Sequence, residues 1–135
     1  MKTTWDYTEL APHYLNRPDY AEDAIDELVK ISGVSSGDKV CDIGAGSAHL
    51  TRMLAARGLE VTAIEPNDAM REVGISTTKD LPNVTWVEAT AENTTMPDRE
   101  FHLVTFGSSF NVTDRLKALK ETKRILKPGG WFACM

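Results

Sequence analysis

The chain of 135 residues carries 15 Lys and Arg against 20 Asp and Glu, a net charge of −5, and 41% of its residues are apolar. This composition is typical of one globular domain, and the length suffices to bury a core without disulfides or a structural metal. Because the charges are acidic on balance and mixed in sign along the chain, a nucleic-acid partner is disfavoured.

The elements predicted from periodicity and turn residues alternate between helix and strand. An amphipathic helix over 20–31 stops near Gly33, and a short apolar strand over Lys39–Ile43 follows. Beyond them we expect helices over 48–57, 67–74 and 112–126, strands over 60–65, 84–88 and 101–106, a turn at 128–130 and a fifth strand over 131–135. Such alternation predicts a parallel sheet covered by helices on both faces, with ligands bound at the carboxyl ends of the strands.

The amino-terminal region and the cysteines bear on location and on metals. The first 20 residues are polar and include acidic side chains, unlike a signal or transit peptide, and no run approaches the roughly 18 apolar residues of a membrane span. Cys41 and Cys134 lie in apolar stretches, and neither has a second Cys or a His at metal-ligand spacing. We therefore expect a cytoplasmic protein without membrane contact, with two buried free thiols and no bound metal.

The strongest functional motif is the stretch VCDIGAGSAHLT over 40–51, where a strand must turn sharply into a helix. Gly44 permits the turn, and Gly46 lets a ligand approach the backbone without meeting a Cβ. A dinucleotide-binding fingerprint would place Gly or Ala where this chain has His49, and no Gly-Lys-Ser/Thr of a phosphate-binding loop follows. The motif therefore disfavours a dinucleotide-binding site and a phosphate-binding loop.

Glu65 ends the second predicted strand, about 20 residues beyond the glycine turn. A carboxylate in this place can accept hydrogen bonds from both ribose hydroxyls of a nucleoside. Taken alone, a Glu at a strand end is more often a solvated surface group. Its position after the glycine turn favours a role in binding a sugar.

Four segments, in this order, resemble motifs of the class I S-adenosylmethionine-dependent methyltransferases, especially the small-molecule enzymes. VCDIGAGSAHLT is similar to the family's first motif, VTAIEPN to its ribose-binding strand end, EATAENTTMPDREFHLVTF to the stretch before the fourth strand, and RILKPGGWF to the turn into the fifth. The resemblance implies a doubly wound, Rossmann-like, mostly parallel sheet. It also implies S-adenosylmethionine as the cofactor and a small molecule as the methyl acceptor.

Position by position, the resemblance implies a set of cofactor-binding residues. Asp42 would lie near the amino group of the cofactor, Glu65 would hold the ribose, and Tyr14 would cap the cofactor from the amino-terminal side. The methionine part of the cofactor would be bordered by Gly44, Ala45, Gly46 and Gly107. The adenine would be bordered by Pro66, Asn67, Met70, Thr90, Ala91 and Glu92.

Three positions depart from the family's pattern. Ala48 replaces the third glycine, a mild change because Ala also permits close packing. Thr90 stands where an Asp usually accepts from the adenine amino group, and a hydroxyl can still accept, though without charge. His102 stands where an Asp commonly follows the Phe of the fourth strand, and we interpret it as a half-buried strand residue rather than a catalytic one.

The catalytic residues are not identifiable from the sequence. Methyl transfer needs positioning more than a nucleophilic side chain, so the lack of a Ser/His/Asp or Cys/His constellation agrees with this chemistry. The stretch 108–111 (Ser-Ser-Phe-Asn) lies where the family's acceptors approach, and Trp5, Tyr7 and Tyr20 are interpreted as packing residues rather than as a substrate cage.

Two functions of different classes stay open: an enzyme that methylates a small molecule, and a module that binds the cofactor or its product without turnover. A nicotinamide-dependent oxidoreductase ranks third because of His49. We expect a helical cap over 1–38 and a cofactor-binding α/β core over 39–135. Because the family's sheet continues further, the chain is expected to be a fragment truncated in the fifth strand, with an exposed sheet edge open to a homo-oligomeric contact.

Overall fold

The computed structural model describes residues 1, 3, 6–16, 18–107 and 109–135. Within these ranges the helices are α1 (Glu22–Ser32), α2 (His49–Ala56), α3 (Asp68–Thr78) and α4 (Arg115–Ile125), with short 3-10 helices at Ala11–Asn16 and Phe110–Val112. The strands are β1 (Lys39–Ile43), β2 (Glu60–Ile64), β3 (Val84–Val87), β4 (Phe101–Phe106) and β5 (Leu126–Cys134).

The strands form one parallel sheet in the order β3-β2-β1-β4-β5. The chain steps outward from β1 to β3 and then returns to place β4 beside β1. The winding direction therefore reverses between β1 and β4, which is where open α/β sheets bind ligands, beyond the carboxyl ends of the strands. This topology confirms the predicted doubly wound parallel sheet.

Buried apolar side chains form a cluster on each face of the sheet. The neighbouring β1 residues Val40 and Cys41 belong to different clusters, because successive strand residues point to opposite faces. The first cluster takes Ile25 from α1 and Leu54 from α2, and the second takes Ile125 from α4. Helices thus cover both faces, and the carboxyl edge of the sheet stays available for a site.

Two predicted helices differ from the structure by three or more residues at one end. Helix α3 was expected to end near Gly74 but continues to Thr78. Helix α4 was expected from Val112 but begins at Arg115, after Asp114 caps it by accepting from the N–H of Lys117 at 3.2 Å. Val112 instead belongs to the 3-10 helix before this cap.

The fifth strand begins at Leu126, five residues earlier than the predicted start at Trp131. The expected turn at 128–130 is an irregularity within the strand: Phe101 pairs with Leu126 and Leu103 with Trp131, so extra residues of β5 bulge out, and Gly129 adopts a φ of +80°. The prediction that both thiols are buried is wrong for Cys134, which is exposed because it lies on this edge strand.

Among the described residues, no helix has the length and apolar character needed to cross a bilayer.

Candidate cofactor site

A cavity of about 600 Å³ opens at the carboxyl edge of the sheet, beside the ends of β1, β2 and β4. Its volume lies within the roughly 300–1,000 Å³ of small-molecule sites. The cavity wall includes every residue that the family resemblance assigned to the cofactor: Tyr14, Asp42, Gly44, Ala45, Gly46, Glu65, Pro66, Asn67, Met70, Thr90, Ala91, Glu92 and Gly107. The structure therefore brings the whole predicted set together, and the contacts of these residues with a ligand stay a prediction.

The glycine turn after β1 forms the floor of the cavity. Gly44 and Gly46 have φ angles of +68° and +59°, which favour glycine, and a Cβ on Gly44 would lie 2.5 Å from the Cβ of Ser109. The N–H groups of Gly44 and Ala45 donate to the carbonyl oxygen of Ile64 at 2.8 and 3.0 Å. The turn is thereby held against β2, with bare backbone facing the cavity.

Ala48 departs from the expectation of a mild change. It is fully buried, as close packing requires, but its φ of +79° lies in the left-handed region. For a residue with a Cβ this conformation costs roughly 1–2 kcal/mol. The substitution of the family's third glycine therefore stores backbone strain at the start of α2.

Glu65 follows β2 and is only 7% exposed. Its Oε1 accepts from the N–H of Gly46 at 2.9 Å, and its Oε2 accepts from the N–H of Asn67 at 2.8 Å. Burial raises the pKa of Glu65, and these two backbone hydrogen bonds and the charge of Arg71 offset part of that rise. Each carboxylate oxygen keeps a second acceptor position, so the side chain is a fixed pair of acceptors on the cavity wall.

Asp42 lies in β1 opposite Thr105 of β4 and is 1% exposed. Its Oδ2 accepts from the hydroxyl of Thr51 at 2.6 Å, and its Oδ1 accepts from the hydroxyl of Thr105 at 3.0 Å. Burial raises the pKa of Asp42 to about 6, although both hydroxyls favour the ionised form. A carboxyl group poised in this way gains most from a cationic ligand group in the cavity.

The loop after β3 forms a further part of the cavity wall. The hydroxyl oxygen of Thr90 accepts from the N–H of Asn93 at 3.2 Å, which closes a tight turn. Behind the loop, Glu121 of α4 accepts from both the N–H and the hydroxyl of Thr94 at 2.7 Å. These two hydrogen bonds thus fix the loop to helix α4.

The amino-terminal segment closes another side of the cavity. Tyr7 and Tyr14 pack edge to face, with ring centroids 5.8 Å apart, and both line the cavity. Tyr20 also lines it, in addition to packing against the first core cluster, so the two described tyrosines interpreted as packing residues face the site. Trp5 lies outside the described residues.

Several wall residues were missed by the sequence analysis. Four of them lie within the motif at 40–51, although no role was assigned to them: Ile43, Ser47, His49 and Leu50. The others come from the amino-terminal segment and from the residues just before α4: Thr3, Pro18, Val112, Thr113 and Asp114. No motif marks this second group, because its members reach the cavity through contacts between segments that are far apart in the sequence.

Other candidate residues lie outside this cavity. The Nδ1 atom of His102 accepts from the N–H of Lys39 at 3.1 Å, at the amino end of β1, in agreement with a structural role. The hydroxyl of Ser109 donates to the carbonyl oxygen of Ile43 at 2.7 Å, and Phe110 and Asn111 line a second cavity of about 440 Å³. Ser108 lies outside the described residues.

Comparison with known sequences finds methyltransferases. Residues 41–134 match the family described as methyltransferase domain. The ubiquinone/menaquinone biosynthesis C-methyltransferase of Psychromonas ingrahamii is 42% identical over 110 residues, which are 76% of this chain and 43% of that protein. The demethylmenaquinone methyltransferase of Staphylococcus saprophyticus is 38% identical over 112 residues, or 80% of this chain and 48% of that protein. The chain thus spans less than half the length of these relatives.

Comparison with solved structures finds the same fold. A SAM-dependent methyltransferase from Aquifex aeolicus superposes with a TM-score of 0.73 at 23% identity, over 81% of this chain and 61% of that one. Phosphoethanolamine N-methyltransferase 2 of Haemonchus contortus, solved in complex with S-adenosyl-L-methionine, superposes with a TM-score of 0.79 at 20% identity. The latter match covers 93% of this chain and 31% of that one.

Proposed function

The chain belongs to the methyltransferase domain family, and we propose that its cavity binds S-adenosylmethionine for methyl transfer to a small-molecule acceptor. One observation carries this proposal. The Glu65 carboxylate ends β2 with each oxygen fixed by a backbone N–H, one of which belongs to Gly46 of the glycine turn on the same cavity wall. A ribose-binding acceptor pair and a bare backbone turn are thereby joined in one rigid unit.

The residues of the cavity fit the chemical parts of this cofactor. The ribose hydroxyls would donate to Glu65, and the amino group would face Asp42. Gly44 and Gly46 line the cavity where the methionine part would lie, and a Cβ on either glycine would collide with Ser109 or Met70, so both positions require glycine. Hydrogen bonds to a charged acceptor contribute about 1.5–3 kcal/mol each, so the carboxylates account for much of the affinity.

When bound, the cofactor supplies an electrophilic methyl group on a sulfonium sulfur. The chain itself needs to bind and orient both reactants, and such orientation contributes roughly 7–11 kcal/mol to lowering a barrier. Glu65 and the glycine turn would fix one reactant, and Tyr7, Tyr14 and Tyr20 add aromatic surface to the cavity wall.

We propose that the acceptor is an electron-rich ring of the demethylmenaquinone type. We also propose that the protein acts in the cytoplasm. The two relatives described above are named for methylation in ubiquinone and menaquinone biosynthesis, and they match this chain over most of its length. The aromatic side chains Tyr7, Tyr14 and Tyr20 on the cavity wall suit a flat ring.

Calorimetry on a matched pair of variants tests the cofactor site. We expect Glu65→Ala to weaken binding of S-adenosylhomocysteine at least tenfold, because the ribose loses its acceptor, a loss of about 1.4 kcal/mol or more. Glu60→Ala is the control, since Glu60 is exposed at the opposite end of the same strand. Unchanged affinity in Glu65→Ala, or equal binding of NAD by the wild-type chain, would contradict the proposal.

Turnover separates an enzyme from a binding module. With labelled S-adenosylmethionine and a reduced demethylmenaquinone analogue, we expect label in the organic product. Tight cofactor binding without transfer to any ring or amine acceptor would favour the non-catalytic module instead.

A further inference from the structure

The amino-terminal strap, defined as residues 6–16 and 18–20, forms one wall of the cavity and is fastened to the α/β core at two separate places. Tyr7, Tyr14, Pro18 and Tyr20 of the strap line the cavity. Whatever holds the strap in place therefore also shapes the site.

The first fastening point is Asn67, beside the carboxyl end of β2. Its Nδ2 donates to Oδ1 of Asp6 at 3.2 Å and to the hydroxyl of Thr8 at 3.0 Å. Asn67 also caps α3, and its N–H donates to Glu65. A substitution here would disturb the predicted ribose site directly, so Asn67 cannot report on the strap alone.

The second fastening point is His49, the first residue of α2. Its Nε2 lies 2.7 Å from the carbonyl oxygen of Tyr14, and its Nδ1 lies 2.6 Å from Oδ1 of Asp19. The ring thus bridges two points of the strap, one on each side of residue 17. These two contacts do not involve Asp42 or Glu65, the carboxylates assigned to the cofactor.

Both contacts of His49 end on oxygen atoms that carry no proton, a backbone carbonyl and a carboxylate. The imidazole ring has a nitrogen on each of two sides, so one side chain can reach both oxygens. Among the described residues, the charged groups in contact with the ring are Asp19 and Arg52, whose Nη2 lies 3.5 Å from Nδ1 and 3.6 Å from Oδ1 of Asp19. A side chain with a single nitrogen could hold only one of the two contacts with the strap.

We propose that His49 is a positioning residue for the cofactor: its two ring nitrogens tie Tyr14 and Asp19 to α2 and hold the strap closed over the cavity. The identity of the ligand under the strap rests on the proposed function. The fastening itself does not, because its contacts lie within the chain.

Binding measurements on matched variants give the first test. His49→Gln leaves one side-chain N–H donor group that cannot reach both acceptors, and we expect it to weaken S-adenosylhomocysteine binding about tenfold, mainly through faster dissociation. Asp19→Asn should weaken binding in the same direction, and its site is exposed, so the fold is unaffected. His13→Gln, an exposed position on the same strap, is the control and should bind like the wild type.

Limited proteolysis of the ligand-free protein gives a second readout, independent of any cofactor. Chymotrypsin cuts after tyrosine, and we expect cleavage after Tyr7 and Tyr14 to be about tenfold faster in His49→Gln than in His13→Gln, because an unfastened strap opens more often. Equal cleavage rates would overturn the proposal even if the wild-type chain bound no S-adenosylhomocysteine, an outcome that would by itself contradict only the proposed function.

A variant at Asp19 separates the bridge from a direct effect of position 49 on the cavity wall. Asp19→Ala removes the acceptor of Nδ1 at an exposed position that does not line the cavity, and we expect it to weaken S-adenosylhomocysteine binding several-fold. Wild-type affinity in Asp19→Ala would overturn the proposal.

Discussion

Asp42 is a buried carboxyl group on the cavity wall, and its ionisation should control cofactor affinity. Burial raises its pKa to about 6. Because only the ionised carboxylate attracts the amino group of the ligand, we expect affinity for S-adenosylhomocysteine to rise about tenfold between pH 5 and pH 7. Isothermal titration calorimetry across this range measures the rise.

Asp42→Asn is the matched variant, because Asn keeps the shape of the side chain and cannot ionise. Its affinity should be low and nearly independent of pH, and an unchanged pH dependence would contradict the assignment of Asp42. The effect of rising pH on the stability of the folded state has the opposite sign. Since the carboxyl group of the unfolded chain ionises near its ordinary pKa of 3.8, the wild type should lose stability relative to Asp42→Asn as the pH rises from about 4 to about 6.

Single residues of the site were predictable from the sequence where they follow a strand directly. Gly44 and Glu65 stand at the carboxyl ends of neighbouring strands, so their convergence follows from the parallel topology. The second role of His49 was not predictable. Its partners Tyr14 and Asp19 are 35 and 30 residues away, and no pattern in the sequence links either of them to His49. The sequence therefore showed only what His49 excludes, a dinucleotide fingerprint.

At the scale of elements, α3 packs unusually close to the glycine turn. Gly74 allows this, because a Cβ there would lie 2.7 Å from the carbonyl oxygen of Gly46 and would collide with the Trp86 ring. The Trp86 indole is itself fixed by donating to the hydroxyl of Thr78 at 2.9 Å. The position of α3, and with it that of the cavity wall, therefore depends on the absence of a side chain at Gly74.

We expect Gly74→Ala to destabilise the protein by about 1–3 kcal/mol, although Ala favours helix formation, because neither the ring nor the backbone can move cheaply. It should also weaken S-adenosylhomocysteine binding. Urea unfolding measures the first effect and calorimetry the second. The control is Ser76→Ala at an exposed position of the same helix, where stability should stay the same or rise slightly. Equal stability of the two variants would contradict the close contact.

The same glycine shows why some element bounds could not be predicted. The strands β1 and β4 match their predicted bounds, since a short apolar run between turn residues defines each of them. Gly74 indicated a helix end by its low helix propensity, but tertiary packing against Gly46 outweighs that preference. In β5, the Pro-Gly-Gly stretch does form a local irregularity, but the pairing with β4 resumes on both sides of it.

At the scale of the whole molecule, helix α4 is hydrogen-bonded to the loop that forms part of the cavity wall. Glu121 of α4 accepts from the N–H and hydroxyl of Thr94, in the loop that continues from Thr90, Ala91 and Glu92. Arg124 donates to the same carboxylate through Nε and Nη2 at 2.7 and 2.8 Å, and this contact lowers the pKa of Glu121 to about 2. The ionised carboxylate thus joins two segments 27 residues apart.

Because Glu121 titrates at lower pH in the folded than in the unfolded chain, its contribution to stability is complete above about pH 4.5 and is lost as the pH falls towards 2. We expect Glu121→Gln to be about 1–2 kcal/mol less stable than the wild type at pH 7, with a difference that shrinks by pH 3. Urea unfolding at both pH values measures it. Glu100→Gln removes an exposed ion pair with Lys39 and should change stability little. A deficit of Glu121→Gln that persists at pH 3 would mean that packing, rather than charge, holds the loop.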